Sequence, residues 1–265
     1  MAPPRTVMPE LARAADGGLL TVADAAKVLG VSAHDAAVRL GRFERAGWLA
    51  RARRGLYLVL PIEAKPGSAT VAEDAWVLAA ALFSPCYIGG WTAAEHWGLT
   101  EQLFRSTFVV SAAPRRRQRE NRLSTDFHIV RVRPDRLMGT VTVWRGSQRV
   151  AASDRERTIV DALVHPNWIG GVRHLAEILT TYRESKQFDA KKLLVQAEKH
   201  ATGSAFKRLG FLVELLWPGE KTIVDLAYRR RTKGTIRLDP AVKGRGRLSK
   251  RWGLWINVTI DGANS

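Results

Sequence analysis

The chain has 265 residues, 46% of them hydrophobic and nine of them Trp, which is apolar material for about two folded domains and excludes a disordered chain. Lys and Arg number 42 against 25 Asp and Glu, and the formal charge of +17 is the footprint of a phosphate-rich partner, without separating DNA from RNA or an anionic membrane. The lone cysteine, Cys86, excludes an intramolecular disulfide and a cysteine-rich zinc site, and no apolar stretch approaches the ~20 residues needed to span a bilayer. The N-terminal segment lacks the apolar core of a secretion signal, so a cytoplasmic protein without a membrane partner is expected, with Cys86 an inert buried thiol.

Met8 to Ala15 predict a short first helix behind a Pro-rich start. Thr21 can cap a second helix that carries Val22, Ala25, Ala26 and Leu29 at helical spacing, and Gly30 stops it. Ser32, with Asp35 three residues on, forms a variant of the capping box for a third helix whose buried stripe is Ala36, Leu40 and Phe43. Gly47 ends that helix, Trp48 and Leu49 begin an extended segment, and Arg51 to Arg54 with Gly55 are read as a turn before the apolar run Leu56 to Leu60. Helix, turn, helix and basic hairpin are the layout of a winged helix-turn-helix.

In that layout the third helix enters the major groove, and nearby guanidinium groups neutralise phosphates. The candidate base-reading residues are Ser32, His34, Asp35, Arg39 and Arg42, and the candidate wing contacts are Arg51, Arg53 and Arg54. Arg45 falls in the same basic window.

Pro61 to Ser68 has linker chemistry, which places a domain boundary between residues 66 and 67 and gives an N-terminal domain of 1–66 and a larger one of 67–265. Thr70 with Glu73 is expected to cap a helix over Val71 to Phe83, and Thr92 with Glu95 a short helix bearing Trp91, Ala94 and Trp97. Strands are expected at Thr107 to Ser111, Phe127 to Val132 and Thr140 to Trp144. Ser153 with Glu156 is expected to cap a helix bearing Ile159, Val160, Leu163 and Val164, followed by helices at Gly170 to Tyr182, Asp189 to His200 and Ser204 to Leu216. Ile223 to Tyr228, Thr235 to Leu238 and Trp252 to Val258 read as extended. Strands followed by helices indicate an α+β fold, a winged helix joined to a larger mixed α+β domain.

Two further basic clusters are candidate phosphate contacts. One contains Arg115, Arg116, Arg117 and Arg119, in a connection between strands. The other contains Arg229, Arg230, Arg231, Arg245 and Arg247.

Signs of catalysis are sparse. There is no phosphate-binding Gly-rich loop, no G-x-S-x-G and no H-E-x-x-H, and the six histidines are scattered, so no catalytic residue, metal site or cofactor is expected. Glu184 with Lys186, and Glu214 with Asp225, are the best pieces for a metal-dependent nuclease, but helix caps and surface pairs explain them better. His96 beside Trp97 reads as a packed or capping histidine and not a general base. The alternatives to a DNA-binding regulator are therefore a winged-helix-targeted nuclease and a general RNA-binding protein.

The chain resembles the AbiEi antitoxins of bacterial type IV toxin-antitoxin and abortive-infection systems. The resemblance is carried in order by GWLARARRGLYLV, YIGGWTAAEHWGLT with the FVVS strand, SDRERTIVDAL, FKRLGFLVELL, and LDP with WGLWINV. It implies a repressor whose winged helix binds inverted repeats in double-stranded DNA of its own promoter, joined to an α+β domain that counters a nucleotidyltransferase-like toxin without a stable complex. It assigns base reading to Ser32, His34, Asp35, Arg39 and Arg42 and the wing to Arg51, Arg53 and Arg54. It leaves open whether the protein is a monomer or a dimer before binding.

Overall fold

Capping residues and apolar spacing fix the N-terminal elements. The structure, a computed structural model, describes residues 4–60, 74–114, 117–146 and 148–260. Helix α1 (Pro4–Ala14) leads into strand β1 (Leu19–Thr21), helices α2 (Val22–Leu29) and α3 (Ala33–Arg45), and strands β2 (Leu49–Arg53) and β3 (Leu56–Val59). The Thr21 hydroxyl accepts the Asp24 amide, and Gly30, in the left-handed region at φ 60°, closes α2. At α3 the Ser32 hydroxyl accepts the Asp35 amide at 3.1 Å and donates to the Asp35 carboxylate at 2.7 Å.

Leu11, Leu20, Ala25, Ala36 and Leu40 are wholly buried in the small core these elements enclose, with Met8, Leu49 and Tyr57 packed among them. The three strands form an antiparallel sheet in the order β1-β3-β2. The sequence reading missed β1, whose Leu19 and Leu20 pair with Leu58 and Tyr57. The wing turn is also tighter than expected. Arg51 to Arg53 belong to β2, because Ala52 points inward and is buried, and the connection shrinks to Arg54 and Gly55, the latter at φ 79°.

The domain boundary expected at 66/67, and the cap expected from Thr70 and Glu73, lie outside the described residues. Helix α4 (Ala75–Phe83) is capped by Asp74, whose carboxylate accepts the amides of Trp76 and Val77. Then come β4 (Cys86–Ile88), α5 (Gly90–His96), β5 (Ser106–Ser111), β6 (Arg119–Arg122), β7 (Thr125–Arg131), β8 (Val141–Arg145) and β9 (Gln148–Ala152). The six strands form one sheet in the order β6-β7-β5-β4-β9-β8, with β5 parallel and β6 antiparallel to β7.

Three expectations change here. Helix α5 starts at Gly90, so Thr92 lies inside it and does not cap it. Part of the Arg-rich connection is a strand, β6, held to β7 by backbone pairing that its polar side chains do not advertise. Cys86 is half-buried, its thiol 3.7 Å from the Ala79 carbonyl.

The chain continues as α6 (Arg155–Val164), α7 (Val172–Glu184), α8 (Ala190–His200), α9 (Gly203–Leu216), α10 (Lys221–Arg230), β10 (Ile236–Arg237), β11 (Arg247–Ser249) and β12 (Leu254–Ile256). Asp154, not Ser153, caps α6 by accepting the Arg157 amide at 2.7 Å, and the Ser153 hydroxyl instead pairs with that of Thr158. The expected strand at Ile223 to Tyr228 is helical. Glu220 caps α10, and Ile223, Val224 and Ala227 share the face buried against α9. The last three strands form a small sheet in the order β10-β12-β11.

The chain divides into two compact units, one comprising Met1–Tyr87, Arg105–Val132 and Thr142–Ala151, the other Ile88–Phe104, Arg133–Val141 and Ala152–Ser265. The first holds the winged helix and most of the six-stranded sheet. The second is mainly helical, with a large core built on α6, α7 and α9. The fold is mixed α+β, as the order of predicted elements indicated.

Candidate nucleic-acid interface

Helix α3 turns by roughly 100° per residue. With Ala36, Leu40 and Phe43 defining its buried side, His34, Val38, Gly41 and Arg45 form the ridge that faces directly away from the core. Arg42 flanks that ridge and is exposed, whereas Arg39 lies about 110° from its centre and is half-buried. The side chains of Ser32 and Asp35 hold the helix cap and are committed to each other before any ligand arrives. Of the expected readers, His34 and Arg42 are exposed and take no part in the cap.

The ridge adds three residues that the site prediction did not name. Val38 is 43% exposed, an apolar side chain held outward between His34 and Arg42. A Cβ placed at Gly41 would meet nothing within 4 Å, so that turn of the helix is open to close approach. Arg45 is exposed, its Nε bonded back to the Gly41 carbonyl at 3.1 Å. The wheel signal for all three was present in the sequence, but reading the arginines by density favoured Arg39 over them.

The wing supplies Arg51, Arg53 and Arg54, all exposed. Arg53 is the most constrained, with Nε donating to the Ala81 carbonyl of α4 at 3.3 Å. Among the described residues Arg39, Arg45, Arg51 and Arg54 form no ion pair, which leaves their charge available to an anion.

In the second cluster, Arg117 and Arg119 are exposed, and Arg115 and Arg116 lie outside the described residues. In the third, Arg229, Arg245 and Arg247 are exposed, Arg230 is paired with Glu198 at 2.8 Å, and Arg231 lies over the ring of Tyr228.

Of the nuclease pieces Glu214 is otherwise engaged, and Asp225 is exposed on α10. Glu214 accepts the Trp252 indole N–H at 2.6 Å and pairs with Arg251 at 3.1 Å, while Glu184 and Lys186 lie exposed at the end of α7. His96 is exposed, with its ring edge-on to Trp97.

The strongest polar cluster in the second unit is a scaffold. Buried Arg157 pairs with Asp161 at 2.8 Å and donates to the Met138 and Arg136 carbonyls. Tyr182 donates to buried Glu156 at 2.8 Å, and Lys192 closes on the other oxygen of that carboxylate, also at 2.8 Å. Burial raises the Tyr182 hydroxyl far above its ordinary range, with Glu156 adding to the shift. At Lys192 burial opposes the charge, but the carboxylates of Glu156 and Asp154 more than compensate, and its pKa rises. These groups are tied to one another and brace α6, α7 and α8.

Three helices on a three-stranded antiparallel sheet, with an outward basic ridge and a basic wing, define a winged helix-turn-helix domain. Residues 8–59 match the family AbiEi_4, described as "Transcriptional regulator, AbiEi antitoxin". The crystal structure of the RV2827C protein from Mycobacterium tuberculosis is similar in fold, with a TM-score of 0.64 at 18% identity over 95% of this chain and 90% of that one. No curated protein matches. Among the described residues no helix is long and apolar enough to cross a membrane.

Proposed function

We propose that this protein is a sequence-specific autorepressor and the antitoxin of a toxin-antitoxin system. Residues 1–66 read inverted repeats in its own promoter, one copy per half-site, and residues 67–265 counter a nucleotidyltransferase-like toxin without a stable complex. The family match over the winged helix supports the general kind. The observation that carries the DNA reading is the α3 ridge, where His34, Val38 and Arg45, with Arg42 beside them, stand opposite the buried face. Arginine suits guanine edges and phosphates, and an exposed valine suits the thymine methyl group. No catalytic role, metal or cofactor enters this reading.

Gel-shift titration of the promoter against a scrambled duplex tests it. Arg42→Ala is expected to weaken promoter binding roughly 5- to 150-fold, the equivalent of about 1–3 kcal/mol, and to relax preference at one base pair. Arg51→Ala and Arg54→Ala are expected to weaken both duplexes alike, each lowering the salt slope by about one unit. Equal affinity of the unmodified protein for the two duplexes would overturn the proposal.

A further inference from the structure

The basic C-terminal segment is more than a charged loop, because aromatic rings stand within it. Between Arg229 and Arg251 the sequence places ten Lys and Arg against one carboxylate, Asp239. That carboxylate is buried and accepts the amides of Val172 and Ala241, so it does not offset the surface charge. Arg230 and Arg251 have acidic partners in Glu198 and Glu214. The exposed run 240–247 carries Lys243, Arg245 and Arg247.

Trp255 lies half-buried on the central strand β12, with Arg237 of β10 as its register partner. Register partners share a sheet face, so the indole and this guanidinium stand side by side. Arg245 reaches over from the loop, its guanidinium 5.6 Å from the Trp255 ring centre, too far to lie flat on it. Trp255, Arg237, Arg245, Gly244 and Thr235 line an open cleft of about 810 Å³. A second aromatic lies nearby in the chain. Tyr228 is 40% exposed, has Arg231 over its ring at 3.4 Å, and meets Trp252 edge-on. Trp252 and Trp255 are joined through Gly253 and Leu254, and the Gly253 carbonyl accepts the Ile236 amide.

Arg237 donates to the Val242 carbonyl at 3.2 Å, and neither it nor Arg245 forms an ion pair among the described residues; an indole on a sheet face beside such guanidinium groups is the chemistry that binds unstacked bases. Any base has a π-face to lay on the ring, and the arginines follow the phosphates. A duplex keeps its bases stacked and cannot use the ring.

We propose that the cleft around Trp255 is a single-stranded nucleic-acid site, separate from the winged helix, in which a base stacks on Trp255 and adjacent phosphates meet Arg237 and Arg245. It does not depend on the promoter reading, since it uses none of the α3 or wing residues.

Fluorescence anisotropy of the full chain with labelled 20-nucleotide oligo-U RNA, oligo-dT DNA and a 20-base-pair duplex tests it. Binding of either single strand is expected. Trp255→Leu, which keeps an apolar side chain, is expected to weaken it roughly 5- to 150-fold, the range of one lost base stack, while Trp255→Phe stays within about threefold of the unmodified protein. The double variant Arg51→Ala with Arg54→Ala is expected to leave single-strand affinity unchanged while weakening the duplex. The RNA and DNA arms decide which polymer is preferred. Failure to bind either strand, or equal binding by Trp255→Leu and the unmodified protein, overturns the proposal. Loss of single-strand binding in the wing variant overturns it too, by placing the contact on the winged helix.

Discussion

His200 shows how one side chain couples stability to pH. It is buried at the end of α8 with Nε2 against Gly139, where an added Cβ would come within 2.7 Å. Burial, with Arg157, Arg136 and Lys199 on the same side of the balance and Asp154 opposing them, lowers its pKa from 6.5 to about 4. Between those values the unfolded chain holds a proton that the folded chain refuses. The stability this neutral histidine contributes is therefore present above pH 6.5 and is lost as pH falls toward 4, by at most about 1.4 kcal/mol per pH unit. Urea unfolding at pH 7 and pH 5 is expected to show that loss and His200→Gln to reduce it. An unchanged slope would assign it to other groups, such as His128 and His165, whose pKa values burial also lowers. Sequence reasoning found Ser32, Thr21 and Gly30 readily, because capping chemistry is local. It had no means to find His200, whose neighbours come from other parts of the chain.

At the scale of elements, two helical glycines carry opposite expectations. In α3, Gly41 has open space around it, so Gly41→Ala is expected to raise the thermal midpoint, by the roughly 0.5–1 kcal/mol by which alanine exceeds glycine in a helix. In α9, a Cβ at Gly210 would fall 2.0 Å from the Trp252 ring, so Gly210→Ala is expected to lower the midpoint through an overpacking cost of about 1–3 kcal/mol. Calorimetry of both variants checks the pair, and a rise for Gly210→Ala would mean that Trp252 can move aside. The same packing explains the helix that the sequence reading missed. Ile223 to Tyr228 is too short to separate a period of two from one of 3.6, and its β-branched start favours a strand. The cap from Glu220 and burial against α9 decide for a helix.

Across the whole molecule, charge dominates what the protein meets first. A net charge of +17 with exposed arginines on the wing, on β6 and around β12 draws in polyanions at a distance, and salt screens that attraction. If the winged helix and its flanking cations engage 6 to 10 phosphates, duplex affinity should fall by about 10³- to 10⁵-fold between 50 and 200 mM salt. Gel-shift titration across that range measures it, and a nearly flat dependence would exclude a phosphate-anchored mode. Preference for the promoter over a scrambled duplex should persist along the series, because base contacts respond less to screening than phosphate contacts do.

The sequence alone determined the two capped helices of the winged helix with their buried stripe and turn glycine, and the mixed α+β class, because those depend on residues three or four apart and on backbone chemistry within a few positions. It also determined the basic balance of the chain. Tertiary structure decided what depends on partners distant in sequence. The strands β1 and β6 exist because a neighbouring strand takes their amides. Asp154 displaces Ser153 as a cap once the Ser153 hydroxyl turns to Thr158. The outward ridge of α3 follows from the stripe Ala36, Leu40 and Phe43, but the half-burial of Arg39 on its flank comes only from the folded domain. Trp255 and Arg237, 18 residues apart, become neighbours only through the pairing of β10 with β12.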